Sequence, residues 1–265
     1  MAETIILKIG GSILTKKDQP FTANRENLER IAGEIAGAYD PEKMRLILIH
    51  GAGSFGHYIA KQTGIHEGMK TEGQAVAFAE TQKWQNYWNS MVVTELNKRG
   101  LPAIPVQASA LAVMEDRKIA WMPTRTIEEL LKMDMIPVLY GVPAIDLVHG
   151  CCILSGDQIL SWIAKEIRPD RVIHGIDVDG IFTDDPKKNP DAQLIPDIDM
   201  KQWEEVKEHL SGSASTDVTG GMLGKVSELL ELAESGLTCE MVNANREGYI
   251  ARALAGESGL GTTIR

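Results

Sequence analysis

The sequence predicts an α/β protein: a mostly parallel sheet covered by helices on both faces. Three observations carry that prediction. Short apolar runs bounded by turn residues recur at 5–9, 46–49, 103–106, 136–139, 171–176 and 239–242. Between them lie helical patterns at 25–38, 73–98, 126–133, 158–167 and 225–235. The first two apolar runs end abruptly in glycines, at the carboxyl ends of strands, where ligands of such folds gather.

Taken in order, Ile5-Ile-Leu-Lys8-Ile is apolar except for its lysine and stops at Gly10-Gly11-Ser12. The next run ends in His50-Gly-Ala-Gly-Ser-Phe-Gly-His57, with glycines at 51, 53 and 56. Clustered glycine N–H groups followed by a helix start form an anion cradle, and phosphate is its natural occupant. Two such strand ends imply two phosphate sites, and hence phosphoryl transfer. His57 reads either as a histidine packed against its loop or as a donor to a phosphate oxygen. Trp84, Tyr87 and Trp88 in the long second helix read as core. Residues 144–155 have room for a short hairpin.

Ser155-Gly-Asp157 opens the helix at 158–167. Either polar residue serves as an N-cap, or Asp157 holds a lysine or approaches magnesium; the residues leave both open. Asp177-Val-Asp-Gly-Ile-Phe-Thr-Asp-Asp-Pro186 follows a strand and is either a polar turn or a nucleotide-facing loop. Ser211-Gly-Ser-Ala-Ser-Thr216 reads as a surface loop or as a flap over a nucleotide. It leads into Asp217-Val-Thr-Gly-Gly-Met-Leu-Gly-Lys225, where a lysine follows glycines at a helix start.

Composition narrows the function classes. The 265 residues are 43% hydrophobic and 24% charged, ordinary values for a globular protein. A formal charge of −10 argues against broad nucleic-acid binding and requires a locally positive pocket for any anionic substrate. Cys151, Cys152 and Cys239 lack metal spacing, and adjacent cysteines make a poor disulfide, so a reducing cytoplasm is expected. The first residues read as a strand rather than a secretory signal, and no apolar stretch has the length of a membrane span.

Several familiar motifs are excluded by context. Gly51-Ala-Gly-Ser-Phe-Gly56 matches a dinucleotide-binding pattern, but residues 57–72 hold no following β run. In the glycine stretch before Lys225, Thr219 stands where a P-loop has its first glycine and Val226 where it has Ser or Thr. The glycine of the 177–186 loop falls too early for an EF-hand. No protein-kinase motif set is present.

Together these segments resemble the amino-acid kinase superfamily over essentially the whole chain, and within it the isopentenyl phosphate kinase family. The resemblance rests on Lys8-Ile-Gly-Gly-Ser12, Thr15-Lys-Lys17, His50 to His57, Thr81-Gln-Lys-Trp84 with Asn89-Ser90, Ser155-Gly-Asp-Gln158, Asp177-Val-Asp-Gly180, Asp217 to Lys225, and Gly261-Thr262. His57 within Gly-Ser-Phe-Gly-His is the part that selects this family and the related fosfomycin kinases.

What the resemblance implies is specific. The fold would be a three-layer αβα sandwich in one domain, with an acceptor lobe over 1–170 and an ATP lobe over 171–265. ATP and Mg²⁺ would be required, and the chain would form a homodimer. The reaction would move the γ-phosphoryl group of ATP onto isopentenyl phosphate in an alternative mevalonate route. Lys8 and Lys17 would clamp the transferring group, with Lys16 the alternative to Lys17 under a one-residue shift. Ala52, Gly53, His57 and Gly156 would hold the acceptor phosphate, and Asp157 would orient the two lysines. Lys8, Gly10, Gly11, Ser12, Gly53, Asp177, Asp179, Gly180, Thr183, Gly221 and Lys225 would contact ATP. A fosfomycin-type phosphonate kinase and a non-catalytic nucleotide-binding protein of the same fold are the alternatives.

Overall fold

The computed structural model describes residues 2–184, 186, 189–199, 203 and 221–265, the side chains of 221–223 excepted. Its frame is an eight-stranded sheet in the order β12-β14-β13-β9-β1-β2-β6-β3. The strands are β1 (Glu3–Ile9), β2 (Met44–His50), β3 (Ala103–Pro105), β6 (Ile136–Tyr140), β9 (Arg171–Ile176), β12 (Asp197–Ile198), β13 (Thr238–Asn243) and β14 (Gly261–Ile264). All neighbours pair in parallel except β13 and β14. All six predicted apolar runs are strands of this sheet. β1 lies between β2 and β9, which joins residues 171–176 to the N-terminal half in one sheet.

Alternation along the central strands divides the core. Ile5, Leu7 and Ile9 face one side, together with Leu46, Leu48 and Ile173. That side is covered by α2 (Arg25–Ala38), α4 (Gln74–Asn97) and the short α9 (Tyr249–Leu254), through residues such as Ile31, Trp88 and Ile250. Ile6, Ile47, Ile49 and Val172 face the other side. There α6 (Arg125–Lys132), α7 (Gly156–Ile167) and α8 (Gly221–Glu234) supply Ile127, Ile159 and Val226. The result is the expected three-layer αβα sandwich.

Two features were under-read in the sequence. The hairpin expected at 144–155 exists as β7 (Val142–Asp146) and β8 (Gly150–Leu154), but it belongs to a four-stranded sheet with β4 (Val113–Glu115) and β5 (Lys118–Trp121). The 177–186 segment enters a small hairpin of β10 (Ile181–Phe182) and β11 (Leu194–Ile195). Both use strands of two to five residues, too short for an alternation signal. Among the described residues, no helix is long and apolar enough to cross a membrane.

Candidate active site

The site forms where the carboxyl ends of β1, β2, β6 and β9 meet helix starts. Lys8 and His174 are register partners on parallel strands, so both side chains leave the sheet on the same face. Lys8 is only 3% exposed. Above it, α7 begins with a capping box: Gln158 N–H donates to Ser155 Oγ at 3.1 Å, and Ser155 N–H to Gln158 Oε1 at 3.0 Å. That cap sets Asp157 in the first turn, with Oδ1 2.8 Å from Lys8 Nζ and 3.4 Å from His174 Nε2. The two readings left open for this segment thus fall to different residues. Ser155 caps the helix, and Asp157 holds a lysine.

Lys8 Nζ also lies 2.8 Å from His174 Nε2. An ammonium has only protons to give, so Nε2 accepts and the imidazole is neutral. Burial, aided by the Lys8 charge, pushes His174 well below its ordinary pKa, in agreement. Burial alone would push the Asp157 carboxyl up. Burial is the largest single influence, but Lys8, through its charge and its hydrogen bond, together with His174 and Lys225 reverses it and holds Asp157 below the usual carboxylate range.

Beside this cluster the two glycine loops touch backbone to backbone. A Cβ on Gly11 would stand 2.5 Å from the Gly53 nitrogen, and one on Gly51 2.4 Å from the Gly11 nitrogen. Packing therefore demands these glycines before any ligand does. Thr15 stitches the loops together, donating to Gly11 O at 2.8 Å and accepting from Ser54 N–H at 3.0 Å. Trp88 donates to Gly51 O at 3.3 Å and stacks on Phe55 at 5.0 Å, so it is core, as predicted, whereas Trp84 is half-buried and Tyr87 is exposed, against that expectation.

Gly53 opens α3 (Gly53–Thr63), and Gly156 opens α7. First-turn N–H groups have no intrahelical acceptor. A Cβ on Gly141, just after β6, would lie 3.3 Å from the Gly156 nitrogen and 3.6 Å from that of Ala52. These two nitrogens border one spot, with Leu154 O also 3.6 Å from it, so the amides are the only donors among its three nearest atoms. His57 is exposed on α3, one helical turn beyond Gly53.

Lys17 Nζ lies 3.5 Å from Asp177 Oδ2, so among the described residues the expected hold of Asp157 on both lysines is seen for Lys8 and not for Lys17. Of the two adjacent lysines, Lys17 is the one given an ion pair among the described residues. Lys225 lies one turn into α8, which Gly221 opens, and its charge acts on Asp157. Asp179 is set in the same region, its carboxylate gripped by Arg246 Nε and Nη2, each at 2.6 Å, and by Asn243 Nδ2 at 2.8 Å. Gly180 is buried just before β10, while Thr183 N–H donates to Gln193 O at 2.9 Å. Gly10 N–H is taken by Gly175 O at 3.0 Å, and Ser12 lies in the single turn α1 (Gly11–Leu14). The flap reading at Ser211–Thr216 and the run from Asp217 to Gly220 lie outside the described residues.

Two residues of the site went unread in the sequence: His174 and Gly141. A signal for His174 existed, since it interrupts an apolar strand at the same alternation position as Lys8. Among the described residues, no group of three or more His, Cys, Asp or Glu side chains is placed to cage a metal ion.

The model of the amino acid kinase family matches residues 3–243. The chain belongs to the amino acid kinase family. Within it, similarity is strong to isopentenyl phosphate kinase of Methanothermobacter thermautotrophicus, 42% identical over 267 residues and 98% of each chain. Isopentenyl phosphate kinase of Methanocaldococcus jannaschii is 36% identical over 95% of each chain. A solved isopentenyl phosphate kinase superposes with a TM-score of 0.86 at 39% identity, covering 99% of this chain and 100% of that one.

Proposed function

We propose that this amino acid kinase family member transfers the γ-phosphoryl group of ATP to isopentenyl phosphate, yielding isopentenyl diphosphate and ADP. In the cell it would serve an alternative mevalonate route to isoprenoids. The observation that carries phosphoryl transfer is the buried Lys8–Asp157–His174 cluster set beside the amide seat of Ala52 and Gly156. The choice of acceptor is supported by His57 on α3 and by the relatives named isopentenyl phosphate kinase.

The chemistry asks little beyond placement and charge. A phosphate monoester has a second pKa of about 6, so at neutral pH it is mostly dianionic and already nucleophilic. No general base is required. The obstacle is bringing two polyanions together, which amides and cations overcome by neutralisation and alignment. In this reading Ala52, Gly53, Gly156 and His57 seat the acceptor phosphate. Lys8 and Lys17 clamp the transferring group, with Asp157 fixing Lys8. Lys225 and Gly221 receive the ATP phosphates, and the Asp177–Gly180 loop borders the nucleotide. The acceptor lobe then corresponds to 1–170 and the ATP lobe to 171–265. Mg²⁺ would arrive on the polyphosphate, as is usual for that ion.

Two further expectations belong to the same reading. The homodimer finds support in apolar side chains left exposed on α4 and the β7–β8 hairpin, among them Val76, Tyr87, Ile145 and Leu147. The three buried, unpaired thiols fit a reducing cytoplasm.

The isoprenoid tail needs an apolar seat, which we look for on α4 near Val76, Phe78 and Ala79. Val76 and Ala79 are exposed, whereas Phe78 turns inward and packs with Ile153 against Ala60, Ile65, Ala77 and Cys151. Phe78→Ala is therefore expected to shift preference toward longer isoprenyl phosphates. Relative kcat/KM across a chain-length series checks this, and an unchanged ranking removes Phe78 from the tail seat.

His57→Ala should raise the KM for isopentenyl phosphate about 10- to 100-fold, the loss of one charge-assisted hydrogen bond. Its kcat should change far less. Steady-state kinetics with the reverse pattern would move His57 from binding to turnover. The function itself is tested by ³¹P NMR of a mixture with ATP, Mg²⁺ and isopentenyl phosphate. A new diphosphate ester signal is expected; its absence with intact enzyme would refute the acceptor assignment.

A further inference from the structure

Glu228 lies on α8, three residues beyond Lys225, and nothing derived so far gives it a task. Helix α8 packs against α7, and one turn past Glu228 the two are tied by Lys165 Nζ to Glu231 Oε2 at 2.8 Å. Glu228 Oε2 is closed off from solvent and has no hydrogen-bond partner among the described residues. The charged groups acting on it come from three elements: Asp157 on α7, Lys8 on β1, and Lys225 and Glu231 on α8. Lys8 already serves Asp157 and His174, and Lys165 serves Glu231. An ionised Glu228 would thus place a second shielded carboxylate near Asp157 with no donor of its own for Oε2.

A charge count shows what its proton controls. Lys8 and Lys225 are cationic, Asp157 is anionic and His174 neutral. With Glu228 ionised, this group sums to zero; with Glu228 protonated, it carries one positive charge. An incoming polyphosphate favours the positive state, and by linkage the proton favours the polyphosphate.

We infer that Glu228 is the proton-holding residue of the site, taking up a proton from solvent as the nucleotide phosphates settle against Lys8 and Lys225. Burial first, and the Asp157 charge second, lift its carboxyl to about 7, where proton uptake near neutral pH becomes measurable. The inference rests on the nucleotide-site reading above, and it makes Glu228 a positioning residue that acts through the charge of its neighbours.

Isothermal titration of Mg-ADP into the protein at pH 7, in PIPES and in Tris, tests it. The dependence of binding enthalpy on buffer ionisation enthalpy counts protons taken up, and the ligand's own titration is common to all proteins compared. Wild type should exceed Glu228→Gln by about half a proton, because a group titrating near 7 is half protonated there. Wild-type affinity should also weaken about tenfold from pH 6 to 8.5 relative to the variant. Glu228→Met gives a second uncharged form if Glu228→Gln melts early. Equal proton counts, or a wild-type affinity flat across that range, would overturn the inference. Failure of Mg-ADP to bind at all would overturn the nucleotide-site reading and this inference with it.

Discussion

Lys17→Ala lowers kcat about 10²- to 10³-fold and leaves the KM for both substrates within a few-fold. The magnitude is that of removing one preorganised donor from a charge-developing centre. The Lys17 side chain is 67% exposed and only loosely paired, at 3.5 Å, with Asp177. It contributes little to folding, so the loss should be kinetic, with the melting temperature unchanged. Its ammonium reaches the Asp177 carboxylate just past β9, at the start of the loop proposed to border the nucleotide. An interaction made only in the transition state lowers kcat and kcat/KM together. Lys16→Ala should change neither by more than a few-fold. A variant pair with these effects exchanged would assign the transition-state role to Lys16.

Asp157→Ala has the opposite character: it damages the fold as well as the reaction. Lys8 is 3% exposed and would keep a buried charge without its carboxylate. Breaking a buried pair by removing one partner costs about 3–5 kcal/mol, a fall in Tm on the order of 10 °C. Removing both charges in Asp157→Ala with Lys8→Met should be less destabilising than Asp157→Ala alone, since no uncompensated charge remains. Thermal melts of the three variants check this, and equal or greater loss in the double variant would contradict the ion-pair account.

The same pair predicts a pH dependence. The folded-state pKa of Asp157 lies below its ordinary value of 3.8. A carboxylate depressed on folding contributes stability that is fully present above its unfolded pKa and is lost as pH falls through the folded value. The Tm gap between wild type and Asp157→Ala should therefore be widest near neutrality and narrow only below about pH 4.

What the sequence disclosed, and what it withheld, follows from the lengths over which patterns act. The sheet strands were legible because buried parallel strands are continuous apolar runs, and Gly10-Gly11 and Gly51-Ala-Gly53 marked where they stop. Helix α2 was legible to its end residues because Asn24 caps it and its apolar spacing is regular. The role of Asp157 was half legible: a helix-start aspartate is seen in the sequence, but its partner Lys8 lies 149 residues earlier and is brought near by the β1–β9 sheet. His174, Gly141 and Glu228 depend wholly on such long-range placement. The glycine motif was also richer than a phosphate loop alone, because Gly11 and Gly51 are required by the contact between the two loops themselves. Asp179 shows a parallel case, its carboxylate bracing the loop against Arg246.

The most direct test of the central claim is ADP release with ATP and Mg²⁺, measured with isopentenyl phosphate, dimethylallyl phosphate, fosfomycin and uridylate as parallel acceptors. Fast turnover is expected on isopentenyl phosphate and none above background on fosfomycin or uridylate. Turnover on fosfomycin with silence on isopentenyl phosphate would contradict it, keeping the kinase fold and reassigning its acceptor.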